Sequence, residues 1–93
     1  MSTLEPEFST PTAWLSLTAR AEPGVLPRVL EYFAKRGLTP HRLESRRTEG
    51  GLTIDIRMTD MDQALAAYIG RCLRGIVAVE SVLVDQERRA GAA

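Results

Sequence analysis

Apolar residues recur in this chain with two different periods, and the two periods alternate in an order that few folds can satisfy. From Trp14 to Ala21 one residue in two belongs to an apolar face, which predicts a strand with one buried side. From Val25 to Phe33 the spacing changes to three and four residues, which predicts an amphipathic helix. A more polar extended segment follows over 41–49, and the second half then repeats the succession: alternation over 52–58, helical spacing over 61–73 and an apolar run over 76–84.

Residues with special backbone preferences mark the ends of these segments. Pro27 is compatible with a helix only in its first turn, where the missing N–H has no intrahelical acceptor. Gly37 and Gly75 are placed to end the two helices, and Gly37 is expected in the left-handed conformation. Gly50-Gly51 predicts a hairpin turn, and Asp60 with Gln63 resembles a capping box that opens the second helix.

The predicted order is strand, helix, strand, strand, helix, strand. Two βαβ halves of this kind form an α+β ferredoxin-like βαββαβ sandwich, with a four-stranded antiparallel sheet and two helices on one face. The order predicts a single domain over residues 12–86, a flexible N-terminal arm over 1–11 and a flexible C-terminal tail over 87–93.

Composition argues against several classes of function. Twelve basic residues balance twelve acidic ones, so there is no basic surplus of the kind that nucleic-acid binding favours. No apolar run approaches the roughly 20 residues that span a bilayer, and we expect no membrane association. The single cysteine, Cys72, and an acidic N-terminus without a secretory pattern predict a cytoplasmic protein.

Other proteins of this topology place demands that the sequence does not meet. An RNA-binding module of this fold stacks bases on aromatic residues of the central strands, where this chain offers only Trp14. An acylphosphatase-type enzyme requires an asparagine, and the sequence contains none. His41 is the only histidine, and no Cys-x-x-Cys is present, so we predict no catalytic residues and no metal site.

The stretch "EPGVLPRVLEYFAKRGL", residues 22–38, resembles the signature of ACT domains, in which a Pro-Gly-(Val/Ala)-Leu turn joins the first strand to the first helix. The resemblance covers roughly residues 13–85. Within that family it is closest to the small (regulatory) subunit of acetolactate synthase (acetohydroxyacid synthase), isozyme II type. The resemblance implies a non-catalytic subunit of branched-chain amino-acid biosynthesis that binds and activates a catalytic large subunit. It implies no cofactor on this chain, with thiamine diphosphate, FAD and Mg²⁺ expected on the large subunit.

The resemblance also implies a place for a small amino-acid effector. Free N–H groups and the positive end of the dipole at the start of the first helix suit a carboxylate. The predicted effector-binding residues are Ala21, Glu22, Pro23, Gly24, Val25, Leu26 and Thr39. Valine-responsive relatives usually carry asparagine at the positions of Ala21 and Thr39, so valine is not expected to be a strong effector here.

The same family forms homodimers, and the charged third segment is expected to be an edge strand that joins two copies. The predicted interface residues are Trp14, Arg42, Glu44 and Arg46. Charges on an edge strand can instead serve only to prevent unwanted pairing, and Trp14 can cover the open sheet face or anchor a partner. The alternative function is a free-standing amino-acid-binding ACT dimer that regulates another enzyme.

Overall fold

The computed structural model describes residues 12–87, and the predicted arm over 1–11 and tail beyond residue 87 lie outside the described residues. The elements follow the predicted order: β1 (Thr12–Ala19), α1 (Val25–Ala34), β2 (Arg42–Thr48), β3 (Gly51–Thr59), α2 (Gln63–Arg74) and β4 (Val79–Glu87). The four strands form one antiparallel sheet in the order β2-β3-β1-β4. The predicted ferredoxin-like sandwich is thereby confirmed.

One face of the sheet and the inner sides of both helices form a single apolar core. Alternate residues of β1 and β3 face the helices, and the apolar stripes of α1 and α2 pack on them because burying both removes the most apolar surface from water. The fully buried side chains include Leu15, Leu17, Ile54, Ile56, Val29, Phe33, Ile69 and Leu73. Both helices therefore cover the same side of the sheet, and no described helix covers the other side, called the open face below.

The ends of the elements follow the sequence signals with two differences. Gly37 has a φ of 69°, as predicted for a left-handed cap, but α1 ends at Ala34, so Lys35 and Arg36 follow the helix. The second helix is capped by Asp62, whose carboxylate accepts a hydrogen bond of 2.8 Å from the Leu65 N–H. The prediction of Asp60 as the cap is wrong: Asp60 adopts a φ of 60° in the preceding turn, which is why the helix starts two residues later.

Two glycines allow elements to approach closely. A Cβ at Gly70 of α2 would lie 2.6 Å from Val84 Cγ2, so the helix and β4 are in direct contact there. Gly51 has a φ of 143°, and a Cβ at this position would collide with the carbonyl oxygen of Ala19. The start of β3 is therefore pressed against the end of β1, beside the turn that leads into α1. No described helix is long and apolar enough to cross a membrane.

Candidate functional site

The turn between β1 and α1 is held by main-chain hydrogen bonds. The Arg20 N–H donates to the Ala78 carbonyl at 2.8 Å, which ties the end of β1 to the loop before β4. The Glu22 N–H donates to the Arg20 carbonyl at 2.9 Å, and the Val25 N–H donates to the Glu22 carbonyl at 3.1 Å. Pro23 lies between these bonds with its φ restricted by its ring. The turn therefore presents a fixed path into α1.

An ion pair spans the start of the same turn. Arg20 Nε donates to Glu22 Oε2 at 2.7 Å, and about half of each side chain is exposed. The hydrogen bond that Arg20 donates to Glu22, together with the negative charge of that carboxylate, raises the pKa of the Arg20 guanidinium. The carboxylate of Glu22 is thus partly neutralised, which leaves the helix end more favourable to a second anion.

Few N–H groups remain free at the N-terminus of α1. The Val25 and Arg28 N–H groups donate to the carbonyls of Glu22 and Gly24, and Pro27 has no N–H. The main-chain N–H groups of Gly24 and Leu26 donate to no carbonyl of the described residues. The helix end can therefore offer two donors to a carboxylate.

Gly24 is the N-cap of α1, with φ −83° and ψ −1°. Any residue can adopt that conformation. A Cβ at Gly24 would have no atom within 4 Å, so the described chain leaves open space above this residue.

The predicted effector residues do not all lie together within one chain. Ala21, Glu22, Pro23 and Gly24 are exposed at the turn, and Leu26 is half-buried. The Val25 side chain is buried in the core, so only its main chain faces the turn. Thr39 is exposed but lies beyond the opposite end of α1, ten helical residues away from the turn. Within one chain, Thr39 and the turn are separate.

The predicted interface residues of β2 line one side of an edge strand. Among the described strands, β2 pairs only with β3 and is therefore an edge strand, as predicted. Arg42, Glu44 and Arg46 are exposed and point to the open sheet face, whereas Leu43 packs against the core. Arg42 and Glu44 form an ion pair of 2.9 Å along the strand.

Trp14 is placed away from the edge. It lies on β1, which β3 separates from β2. Trp14 is opposite Arg57 of β3, whose guanidinium carbon lies 3.9 Å from the centroid of the indole ring. Trp14 therefore belongs to the middle of the open sheet face rather than to the strand edge.

Arg57 and Asp55 are site residues that the sequence reasoning missed. Their alternation with Ile54 and Ile56 was visible, and it placed them on the polar face of β3. Only the strand register shows that Trp14 and Arg42 flank Arg57 on its two sides. Among the described residues, no cluster of three or more histidine, cysteine or acidic side chains is arranged to hold a metal ion.

Comparison with known proteins is consistent with this architecture. The chain is similar over 80% of its length to the ACT domain of GTP pyrophosphokinase from Chlorobium tepidum, with a TM-score of 0.68, 12% identity and 96% of that chain covered. It is similar to the C-terminal domain of the MgtC protein from Mycobacterium tuberculosis, with a TM-score of 0.63, 14% identity and coverage of 97% of this chain and 100% of that one. At these identities the likeness shows the fold alone.

The search of curated proteins gives no match to this chain. The family model described as "ACT-like domain" matches residues 9–91, which include every element of the sheet and both helices. The chain therefore belongs to the ACT-like domain family.

Proposed function

We propose that this chain is a non-catalytic regulatory subunit that binds and activates the catalytic large subunit of acetolactate synthase. ACT-like domains are generally small-ligand regulatory domains, which supports the regulatory role. The resemblance of residues 22–38 to the small subunits of this enzyme supports the choice of partner. The thiamine diphosphate, FAD and Mg²⁺ of the reaction belong to the large subunit in this proposal, and the location is the cytoplasm.

The observation that carries the proposal is the geometry at Gly24. Neither its conformation nor its surroundings within the chain require glycine. A glycine at this position is accounted for by a molecule that approaches the main chain from outside, either the carboxylate of an effector or the backbone of a partner. The N–H groups of Gly24 and Leu26, which donate to no described carbonyl, are available to such a molecule.

The regulatory subunit is proposed to act as a homodimer joined through β2. When two copies of β2 pair antiparallel about a two-fold axis at Ser45, all seven residues of the strand find partners. In that register Glu44 of each copy lies opposite Arg46 of the other, so opposite charges meet twice. A register centred one residue earlier, at Glu44, would place Arg42 opposite Arg46 and Glu44 opposite itself. The charge pattern therefore favours the pairing centred on Ser45.

Apolar surface beside the edge supports the same contact. Leu30 is 38% exposed and lies on the flank of α1 opposite Tyr32. The Tyr32 flank faces α2, because Arg36, four residues further on, donates a hydrogen bond to Tyr68. Leu30 is therefore on the flank of α1 that faces away from α2, and a second copy is proposed to cover it.

This dimer reunites the two separated parts of the predicted effector site. In the register centred on Ser45, Arg42 of one copy lies opposite Thr48 of the other. Thr39, three residues before Arg42, then extends toward the other copy's hairpin at 49–51. That hairpin packs against the end of β1, next to the turn at Ala21. An amino acid at the turn would thus contact both copies, so binding and assembly would be coupled.

Charge exchange on β2 tests the dimer and its register. Glu44→Arg alone and Arg46→Glu alone each place like charges opposite one another twice, and we expect each to weaken dimerisation by about tenfold or more. The double variant restores opposite charges, so its dissociation constant returns toward that of the unchanged chain. Analytical ultracentrifugation measures all four. A monomeric unchanged chain, or a double variant no better than the single ones, would contradict the proposed pairing.

Reconstitution tests the partner enzyme. The purified chain is mixed with the acetolactate synthase large subunit of the same organism, and both co-purification and initial rate are measured with and without it. The expected result is a stable complex and a turnover several times higher. Gly24→Ala, whose added Cβ meets open space within the chain, should reduce that activation. No complex and an unchanged rate would refute the assignment. Calorimetry against amino acids then decides whether the chain is instead a free-standing amino-acid-binding dimer of another system.

A further inference from the structure

The open face of the sheet carries a pocket that shares only Arg42 and Glu44 with the proposed edge contact. The pocket has a volume of about 300 Å³ and lies over β2, β3 and β1. Its lining residues are Trp14, Arg42, Glu44, Asp55, Ile56 and Arg57. The pocket is near the start of β1, whereas the turn into α1 follows the end of that strand. The two places are therefore distinct on each chain.

The strand register sorts the charges of this pocket into two rows. Arg42 lies directly opposite Arg57, and Glu44 lies directly opposite Asp55. Like charges that face each other across neighbouring strands repel. The two rows are two residues apart along the strands, roughly 6–7 Å at the usual rise per residue. A positive row thus adjoins a negative row, and each row gains from an opposite charge placed in it.

The chain's own contacts neutralise only part of these rows. Arg42 and Glu44 form an ion pair with each other at 2.9 Å. Asp55 accepts a hydrogen bond from the Ser16 hydroxyl at 3.0 Å and makes no ion pair with any residue described here.

Arg57 likewise has no ion pair within residues 12–87. Its guanidinium lies over the indole of Trp14, and its Nε is buried without a hydrogen-bond partner among these residues. One positive and one negative side chain, on the same face of β3, therefore make no ion pair in the described part of the chain.

We propose that this pocket binds a small zwitterion of the α-amino acid class. The carboxylate lies between the guanidinium groups of Arg57 and Arg42, whose planar donors match a carboxylate. The ammonium group points toward the carboxylates of Asp55 and Glu44. A simple anion would compensate only the positive row, and a simple cation would compensate only the negative row. A zwitterion compensates both. The proposal goes beyond the regulatory function above, because it needs neither a second copy nor a catalytic partner.

The chain contains a single tryptophan, so Trp14 reports directly on the pocket. The isolated chain is titrated with each of the twenty L-amino acids while the one indole N–H resonance is followed by NMR. We expect a saturable shift with at least one of them. The deaminated carboxylic acid and the decarboxylated amine of that amino acid are then titrated in the same way. Each is expected to bind at least about tenfold more weakly, because each loses one charge-assisted contact.

Four variants decide where the ligand is bound. Arg57→Gln and Asp55→Asn should each weaken binding by about tenfold or more. Arg71→Gln is the matched control, since Arg71 is exposed on α2 and belongs neither to this pocket nor to the proposed edge contact. Glu22→Gln is the control for the turn. Thermal unfolding verifies that each variant is folded.

Three results would overturn the proposal. They are the absence of any saturable shift with all twenty amino acids, equal affinity for the carboxylic acid alone, and affinity retained in Arg57→Gln. Loss of binding in Glu22→Gln but not in Arg57→Gln would assign the ligand to the turn instead. None of these outcomes depends on the large subunit, so this proposal and the proposed function can fail separately.

Discussion

Replacement of Gly51 by alanine should destabilise the domain far more than the same change at its neighbour Gly50. Gly51 has a φ of 143°, a region that residues with a Cβ rarely adopt, and the added Cβ would collide with the carbonyl oxygen of Ala19. A Cβ added at Gly50 would have no atom within 4 Å, so this position serves as a control one residue away. The contrast isolates the close approach of β3 to β1.

The expected size follows from two contributions. A strained backbone conformation costs roughly 1–3 kcal/mol. Insertion of an atom into a filled space costs roughly another 1–3 kcal/mol unless the neighbours move. Because the Ala19 carbonyl is main chain and is held by the sheet, we expect a loss of about 2–4 kcal/mol for Gly51→Ala. A domain of this size loses about 4–8 °C in melting temperature per kcal/mol, so the melting temperature should fall by roughly 10–30 °C.

Thermal and urea unfolding followed by circular dichroism measure the difference. Gly50→Ala should unfold within about 1 kcal/mol of the unchanged chain, as is usual for exposed positions. If Gly51→Ala and Gly50→Ala unfold at the same temperature, the close contact between the hairpin and the end of β1 does not exist in solution. The hairpin would then not be held beside the turn that leads into α1.

Three further predictions concern other parts of the fold. Asp62→Ala removes the carboxylate that caps α2 and should cost about 1 kcal/mol in urea unfolding, whereas Asp60→Gly relieves a left-handed conformation and should not destabilise the domain. Phe33→Ala empties a fully buried site and should cost about 3–5 kcal/mol, measured by the same unfolding curves, with exposed Tyr68→Ala as a milder comparison. Gly24→Ala should change the stability of the isolated chain by no more than about 1 kcal/mol, because the added Cβ meets open space; a larger loss in melting temperature would show that Gly24 has a structural role within the chain.

The architecture could be predicted because its signals are local. Apolar and polar residues alternate without interruption from Leu52 to Met58, and Val29 and Phe33 recur at helical spacing. The buried side of each element can therefore be predicted from a few consecutive residues. The capping of α2 by Asp62 could not be predicted in this way. Asp60 and Asp62 are both good capping residues, and the choice between them depends on the left-handed turn at Asp60, which has no sequence signature.

The candidate sites depend on register, which no local pattern contains. Arg42 and Arg57 are fifteen positions apart in sequence, and only the pairing of β2 with β3 places them side by side. Trp14 was visible as an unusual residue on a polar face, but the sequence could not show which charge lies over its ring. A shift of one residue in either strand pairing would move these side chains to the opposite face.

Equal numbers of opposite charges can be sorted into separate rows on the surface of a protein. The chain has no net charge, and that balance argues against a polyanionic partner. On β2 and β3, however, the balance is local: guanidinium faces guanidinium and carboxylate faces carboxylate. An arrangement intended only to prevent edge-to-edge association would be served by a single sign of charge, whereas alternating signs allow selective contacts.

The alternation along β2 suits pairing with a second copy, and the alternation between rows across β2 and β3 suits a small zwitterion. The edge contact uses Glu44 and Arg46, whereas the pocket depends most on Arg57 and Asp55. Because Glu44 belongs to both, the change at Arg46 and the substitutions of Arg57 and Asp55 are the ones that separate the two contacts.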